Sequence, residues 1–372
     1  QLFIHNSSEN FKRLQKNWKQ LILFTLPFWL TAFGLIYTEE FNKGTNFLVR
    51  MLPMLFIPFI ATINPKIFLN NYRKFGYALV AGCLLVAFWS WYLAVQIILE
   101  SDQSMSRLFG PLHTHHNLVK HLDVHPAYLS IFIYTAIGFM MLEVKKVSNL
   151  YKVILYFSSV ILLAFMFHLL SRTAILYFLI ASFIYLVSQK KWRIIASGFT
   201  VVFILGYMAY NMNNNYLRDR LFKSLNLFEK ETQFSRKDDR FKRLTASYEI
   251  FKERPLIGYG TGGEDNYRKT VFKKNKDIVA YKKNYNAHNQ FFEYLSTYGI
   301  LGGFVFILFF GNLFFAAFKS KNYFLIFMLS GLFIGCITES ILERSIGVIY
   351  TSLLVGLIVS ARKNIQLKKH DK

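Results

Sequence analysis

The chain has little with which to cross-link itself or build a thiolate site: its 372 residues contain two cysteines, Cys83 and Cys336, both inside apolar runs. That excludes a disulfide framework and gives no support to a thiolate metal centre. Acidic residues are also scarce, 21 Asp and Glu against 44 Lys and Arg. In a soluble protein the resulting net charge of +23 would suggest a nucleic-acid partner, but no basic helix or stacking platform stands free of the apolar blocks, so nucleic acid is not expected. No secretory signal peptide is visible, no internal repeat is present, and the polar run Asn213-Asn214-Asn215 is too short to mean more than the start of a loop.

Apolar sequence is abundant. The chain is 53% hydrophobic and 18% aromatic, and the apolar residues come in blocks long enough to cross a bilayer of about 30 Å. The pattern predicts an all-α, polytopic transmembrane helix bundle with about ten spans, at roughly 21–37, 46–63, 77–99, 126–142, 152–170, 173–189, 194–211, 289–318, 323–340 and 346–361. Three segments follow: seven spans over 1–211, a polar loop over 212–287, and three spans with a basic tail over 288–372. With the N-terminus placed in the cytoplasm, twenty Lys and Arg fall in inside segments and four (Lys43, Arg107, Lys120 and Arg344) in short outside loops. This asymmetry sets the orientation and puts the 212–287 loop outside, since long loops cross largely regardless of charge.

That loop holds 18 Lys and Arg against 10 Asp and Glu and ends at His288, where the next apolar run begins. Within it Phe241, Leu244, Tyr248 and Phe251 recur at helical spacing, which predicts an amphipathic helix lying on the membrane or on the bundle. Pro255 and the glycines at 258, 260, 262 and 263 end that helix in an irregular turn.

Four features could carry chemistry, and each has a plain structural reading beside the functional one. Arg172 lies at the junction of two spans; its guanidinium either snorkels to the interface or points into the bundle mouth to hold a phosphate bidentately. Arg240 opens the amphipathic helix and is either one solvated cation among many or a second phosphate ligand, with Asp238 and Asp239 as its cap and dipole partners. His288, followed by Asn289, Gln290 and Glu293, is either an interfacial structural histidine or a base suited to neutral pH. The histidines at 113, 115, 116, 121 and 125 either bind a metal or form a polar loop against substrate or headgroups; no cysteine accompanies them, only His121 and His125 have i, i+4 spacing, and no metal is expected. His125, leading directly into a span, Asn289 and Tyr259 are candidate substrate contacts.

Taken in order, Ser171-Arg172-Thr173-Ala174 after a span, Arg240 followed by a helix, Pro255-Leu-Ile-Gly-Tyr259-Gly-Thr-Gly, and His288-Asn-Gln-Phe-Phe-Glu-Tyr-Leu-Ser-Thr-Tyr-Gly-Ile-Leu-Gly closely resemble the O-antigen ligase superfamily. That superfamily also contains O-antigen polymerases and protein O-oligosaccharyltransferases; many relatives carry Gly where this chain has Ala174. The resemblance implies a GT-C type glycosyltransferase of the bacterial inner membrane, working on the periplasmic face without cofactor, nucleotide-sugar or metal. The implied donor is a glycan on undecaprenyl pyrophosphate and the implied acceptor a glycan or lipid A core hydroxyl, among membrane lipids. Arg172 and Arg240 match the family's pyrophosphate-binding arginines, and His288 the histidine that activates the acceptor. Members generally have about twelve spans, so the resemblance also implies two spans preceding Gln1.

The residue chemistry points the same way. Guanidinium groups stabilise the charge that grows on a departing pyrophosphate, and an imidazole on the opposite face of the anomeric carbon can take the acceptor's proton, which predicts inversion. Ligation is the leading reading, with polymerisation close behind it and protein glycosylation after; motifs this short do not separate the first two. Transport of an anionic lipid ranks below all three, because transporters place polar groups at the bilayer midplane, whereas these spans are nearly free of charge.

Overall fold

The structure, a computed structural model, describes residues 7–188, 190–211 and 240–370. Asn213 to Asn215 and the Asp238-Asp239 pair lie outside the described residues. Within them the chain is helical and contains no strand. Six described helices are long and apolar enough to cross a membrane, which bears out the all-α polytopic bundle. The chain divides into two compact units, Gln1–Tyr72 with Arg236–Lys372, and Arg73–Ser235.

The first unit begins with α1 (Ser7–Phe24) and α2 (Leu26–Gly34). The expected first span is therefore not one helix: Thr25 leaves helical geometry at φ −112°, ψ 11°, and Pro27 follows in the first turn of α2. Proline lacks the N–H that a continuous helix would need there, but is tolerated in a first turn. Next come α3 (Phe41–Ile63), the start of α4 (Pro65–Glu100), α9 (Arg240–Glu253), α10 (Glu264–Lys274), α11 (Ile278–Lys283), α12 (Gln290–Lys319), α13 (Tyr323–Thr338) and α14 (Ser345–His370). Helices α3 and α14 pack most extensively, and Arg50 of α3 donates from Nη1 to the Glu343 carbonyl at 3.2 Å just before α14. Outside the long helices Ala246, Ile250, Tyr259, Val271, Phe272 and Ala280 bury a small core of their own, so α9, α10 and α11 form a packed cap rather than a loose loop.

The expected span at 289–318 also proves to be two helices. Gly299 breaks α12 at φ 64°, ψ −153°, a region open almost only to glycine, and the chain folds back on itself. The Phe306 ring lies 5.6 Å from that of Phe291 and 6.3 Å from that of Tyr294, so the limb 290–298 packs beside 300–319. The second limb alone, at about 1.5 Å per residue, is long enough to cross a bilayer core of about 30 Å. A sharp reversal leaves helix-end N–H and C=O groups without partners. The 255–261 turn supplies them: Ile300 N donates to Pro255 O at 2.7 Å, while Thr297 O accepts from Tyr259 N at 3.0 Å and Gly260 N at 2.9 Å. The two glycine-bearing motifs of the sequence thus lock onto each other. Thr261 extends the lock to α2, donating from Oγ1 to Thr31 O at 2.7 Å.

The second unit holds the rest of α4, then α5 (Pro126–Glu143), α6 (Asn149–His168), α7 (Arg172–Ser188) and α8 (Trp192–Asn211). Buried Glu143 ties its helices together, accepting from Arg73 Nε at 3.0 Å and Lys146 Nζ at 2.8 Å. Buried His168 accepts from Trp91 Nε1 at 2.9 Å, and its Nε2 lies 2.8 Å from Leu108 O.

A Cβ at residue 299 would lie 2.5 Å from the Leu256 carbonyl carbon. Gly299→Ala combines that clash with backbone strain of about 1–3 kcal/mol, so its melting temperature in detergent falls, whereas Gly82→Ala, whose Cβ meets nothing within 4 Å, leaves melting unchanged or raises it.

Candidate functional site

The site grows from the start of α12. His288 is held in the left-handed region at φ 49°, with its N–H donating to Asn286 Oδ1 at 3.1 Å. A non-glycine residue kept there by its surroundings is a common mark of a functional position. Its Nδ1 lies 2.7 Å from Oε2 of Glu339, which is 5% exposed and stands at the end of α13. A carboxylate only accepts, so in the neutral imidazole Nδ1 carries the proton and Nε2 keeps its lone pair. Nε2 is buried and has no hydrogen-bond partner among the described residues. The arrangement is that of a base whose tautomer and orientation are fixed by a carboxylate behind it, the logic of nucleophile-activating triads.

A cation stands close by. The Tyr285 ring packs edge-on to His288 at 5.6 Å, and the guanidinium of Arg243 lies 4.2 Å from the centre of the same tyrosine ring. Arg243 comes from α9, on the face that packs on the bundle through Ala246, Ser247 and Ile250. Its Nε is buried without a hydrogen-bond partner among the described residues, so one donor of its planar fork is open to an anion. Helix α9 forms as the sequence predicts, but turned: Phe241 and Tyr248 of the aromatic stripe are 71% and 48% exposed, and small residues make the contact with the bundle. Small side chains let α9 approach α12 closely; of the two surfaces expected for the stripe, the bundle is excluded for those rings.

A buried ionic cluster lies under the histidine. Arg268 of α10 and Glu293 of α12 are each 1% exposed and paired at 2.7 Å. Arg268 also donates to Ser296 Oγ at 3.1 Å, with Glu264 3.9 Å away, and Lys43 pairs with Asp265 beside it. Burial pulls the Arg268 guanidinium down, but Glu293 and Glu264 outweigh it and hold the group charged. Burial raises the pKa of Glu264, against the opposing pull of Arg268. Breaking one side of such a pair strands a buried charge, at a cost of about 3–5 kcal/mol.

The other residues singled out by sequence are placed as follows. Asn289 caps α12, accepting from Phe292 N at 3.1 Å and donating to Ile337 O at 2.7 Å. Tyr259 is 3% exposed, with its hydroxyl donating to Glu253 at 2.7 Å and its ring against Tyr267 at 3.9 Å. His125 caps α5 in the second unit, accepting from Ala127 N at 3.3 Å, with the His115 and His116 rings 5.9 and 6.4 Å away. All three thus bond to the chain itself. Among the described residues no three His, Cys, Asp or Glu are grouped to hold a metal. Arg240 is the first residue of α9, one turn before Arg243, and Arg172 the first of α7; both side chains lie outside the described residues. Glu339, Arg243 and Arg268 carry no such signal in the sequence. A lone carboxylate closing an otherwise uncharged span was the one hint of Glu339.

A carboxylate raised by burial is more stable in its protonated form, so the folded state loses stability as pH climbs from the ordinary carboxylate range through the raised value. Glu264→Gln removes that loss: its melting temperature matches wild type in acid and exceeds it increasingly as pH rises, measured as a melting series across pH.

Residues 157–307 match the O-Antigen ligase family, a stretch that includes Arg172, Arg240, the 255–261 turn and His288. No curated protein matches the chain. Over that stretch the chain is similar to the O-antigen ligase superfamily, a family of membrane glycosyltransferases.

Proposed function

We propose that the chain transfers a glycan from a polyprenyl diphosphate carrier to an acceptor hydroxyl on the periplasmic face of the bacterial inner membrane, most specifically joining O-antigen or a related polysaccharide to a lipid A core. The observation that carries this reading is the His288–Glu339 pair at 2.7 Å with Nε2 buried and unpartnered, in a chain that matches this family over residues 157–307.

In the proposed step His288 Nε2 takes the proton of the acceptor hydroxyl as its oxygen attacks the anomeric carbon. The bond from that carbon to the diphosphate oxygen breaks, and the leaving group keeps the electron pair. Glu339 stabilises the imidazolium through the Nδ1 proton. Arg243, with Arg240 one turn before it, neutralises the charge growing on the leaving diphosphate, the role that the family resemblance also implies for Arg172. One displacement from the opposite face inverts the anomeric centre. Placing both substrates in one site replaces a bimolecular encounter with an oriented one. A polymerase of the same superfamily would use the same chemistry with a second carrier-linked glycan as acceptor. The two are separated in the host: deleting a ligase leaves long lipid-linked polymer unattached, and deleting a polymerase leaves lipopolysaccharide capped with a single repeat.

Two outcomes are expected of purified protein given lipid-linked glycan and acceptor, with EDTA in a parallel sample that continues to transfer. His288→Ala abolishes transfer while the protein stays folded, and Glu339→Gln lowers kcat by about 10²–10⁴-fold; near-normal rates in either variant would remove the dyad from the chemistry. Arg243→Lys and Arg240→Lys are nearly as damaging as the corresponding alanine variants, because a lysine cannot reproduce bidentate contact; full rescue by lysine would indicate a diffuse charge effect.

A further inference from the structure

The dyad joins a turn to a distant helix end, since His288 and Glu339 are 51 residues apart. The length of their hydrogen bond is therefore set by whatever holds residues 287–288 against 339–340. Glu293 touches both segments. Its Oε2 accepts from Ala287 N at 2.7 Å, the residue before His288, and from Ser340 Oγ at 3.2 Å, the residue after Glu339. Its Oε1 accepts from Arg268 Nη2 at 2.7 Å, and both partners of that pair are 1% exposed.

We infer that the Arg268–Glu293 pair is the positioning device of the site, and that Glu293 is a positioning residue which sets the His288–Glu339 contact. Ala287 N is donor-only, so Glu293 must present acceptors to Arg268, Ala287 and Ser340 together, which an ionised carboxylate does and a protonated one does less well. Arg268 pairs with its other oxygen and fixes its direction. Neither residue touches the reacting atoms; they act through the imidazole. The inference rests on the reading of His288 as the base, and it adds a claim that reading does not need: that the geometry of the base depends on an ionic contact one layer below.

The test is a double-mutant cycle with a spectroscopic arm. Glu293→Gln keeps shape and volume, and Asp265 at 3.5 Å remains beside Arg268. The expected result is a fall in kcat of at least about tenfold with KM within about twofold of wild type. Combined with Glu339→Gln, the double variant loses no more than about twofold beyond the worse single, because both act through one hydrogen bond. Ser340→Ala, which removes one link without burying a charge, shows a smaller loss with the same non-additivity and carries the cycle if the glutamine variant does not fold. The spectroscopic arm needs no substrate: in histidine-¹⁵N-labelled protein, the downfield Nδ1–H proton of His288, assigned against His288→Gln, is lost or displaced in Glu293→Gln or Ser340→Ala as it is in Glu339→Gln. It separates failure of this inference from failure of the transferase reading. Losses that multiply in the double variants, or an Nδ1–H signal left in place, would overturn the proposal.

Discussion

A helix that reverses direction among apolar side chains exposes backbone groups that have no water to bind, and the fold depends on how this chain meets that demand. At Gly299 the carbonyl and N–H groups freed by the break are taken up by residues 255–260, with Thr297 O receiving two N–H groups and Pro255 O accepting Ile300 N. The exchange is reciprocal, so neither the 255–261 turn nor the reversal in α12 is satisfied alone. It also sets where everything else lies. The limb 290–298 is held against 300–319, its first residues emerge beside the end of α13, and His288 meets Glu339 there.

Charge does for the site what backbone hydrogen bonds do for the reversal. Arg268, Glu293 and Glu264 are sunk beneath the histidine at 1 to 5% side-chain exposure, where an unpaired charge would be costly and a paired one is rigid. A rigid layer suits the role proposed for this imidazole, which depends on aiming one lone pair at one point. The cap of α9, α10 and α11 has its own small apolar core, so Arg243 and Tyr285 are presented by packed structure and not by a wandering loop.

The sequence made the membrane architecture plain, because uninterrupted apolar runs have few alternatives. It also brought His288, Arg240 and the two glycine motifs into one argument. It hid what depends on contacts distant in sequence. Gly299 sits in a run that reads as a single span, and nothing local says that its φ is positive; the partner turn lies some forty residues upstream, about the length of a typical helical hairpin. The aromatic stripe of α9 has the expected helical period, yet period alone does not say which face packs, and here Ala246 and Ser247 do. Glu339 was invisible as a partner of His288 because no spacing rule links residues on separate helices. Arg268 was one of 18 cations in its loop, distinguished only by burial.

The account comes down to where a lipid diphosphate sugar sits relative to one nitrogen atom. A structure with a non-hydrolysable lipid-linked sugar diphosphate bound tests this most directly. The account predicts the anomeric carbon in the space before His288 Nε2, with the diphosphate on its far side against the arginines and the Nδ1–Glu339 bond intact. Diphosphate bound against the imidazole itself, or a sugar lodged where His288 cannot reach its acceptor, would contradict it.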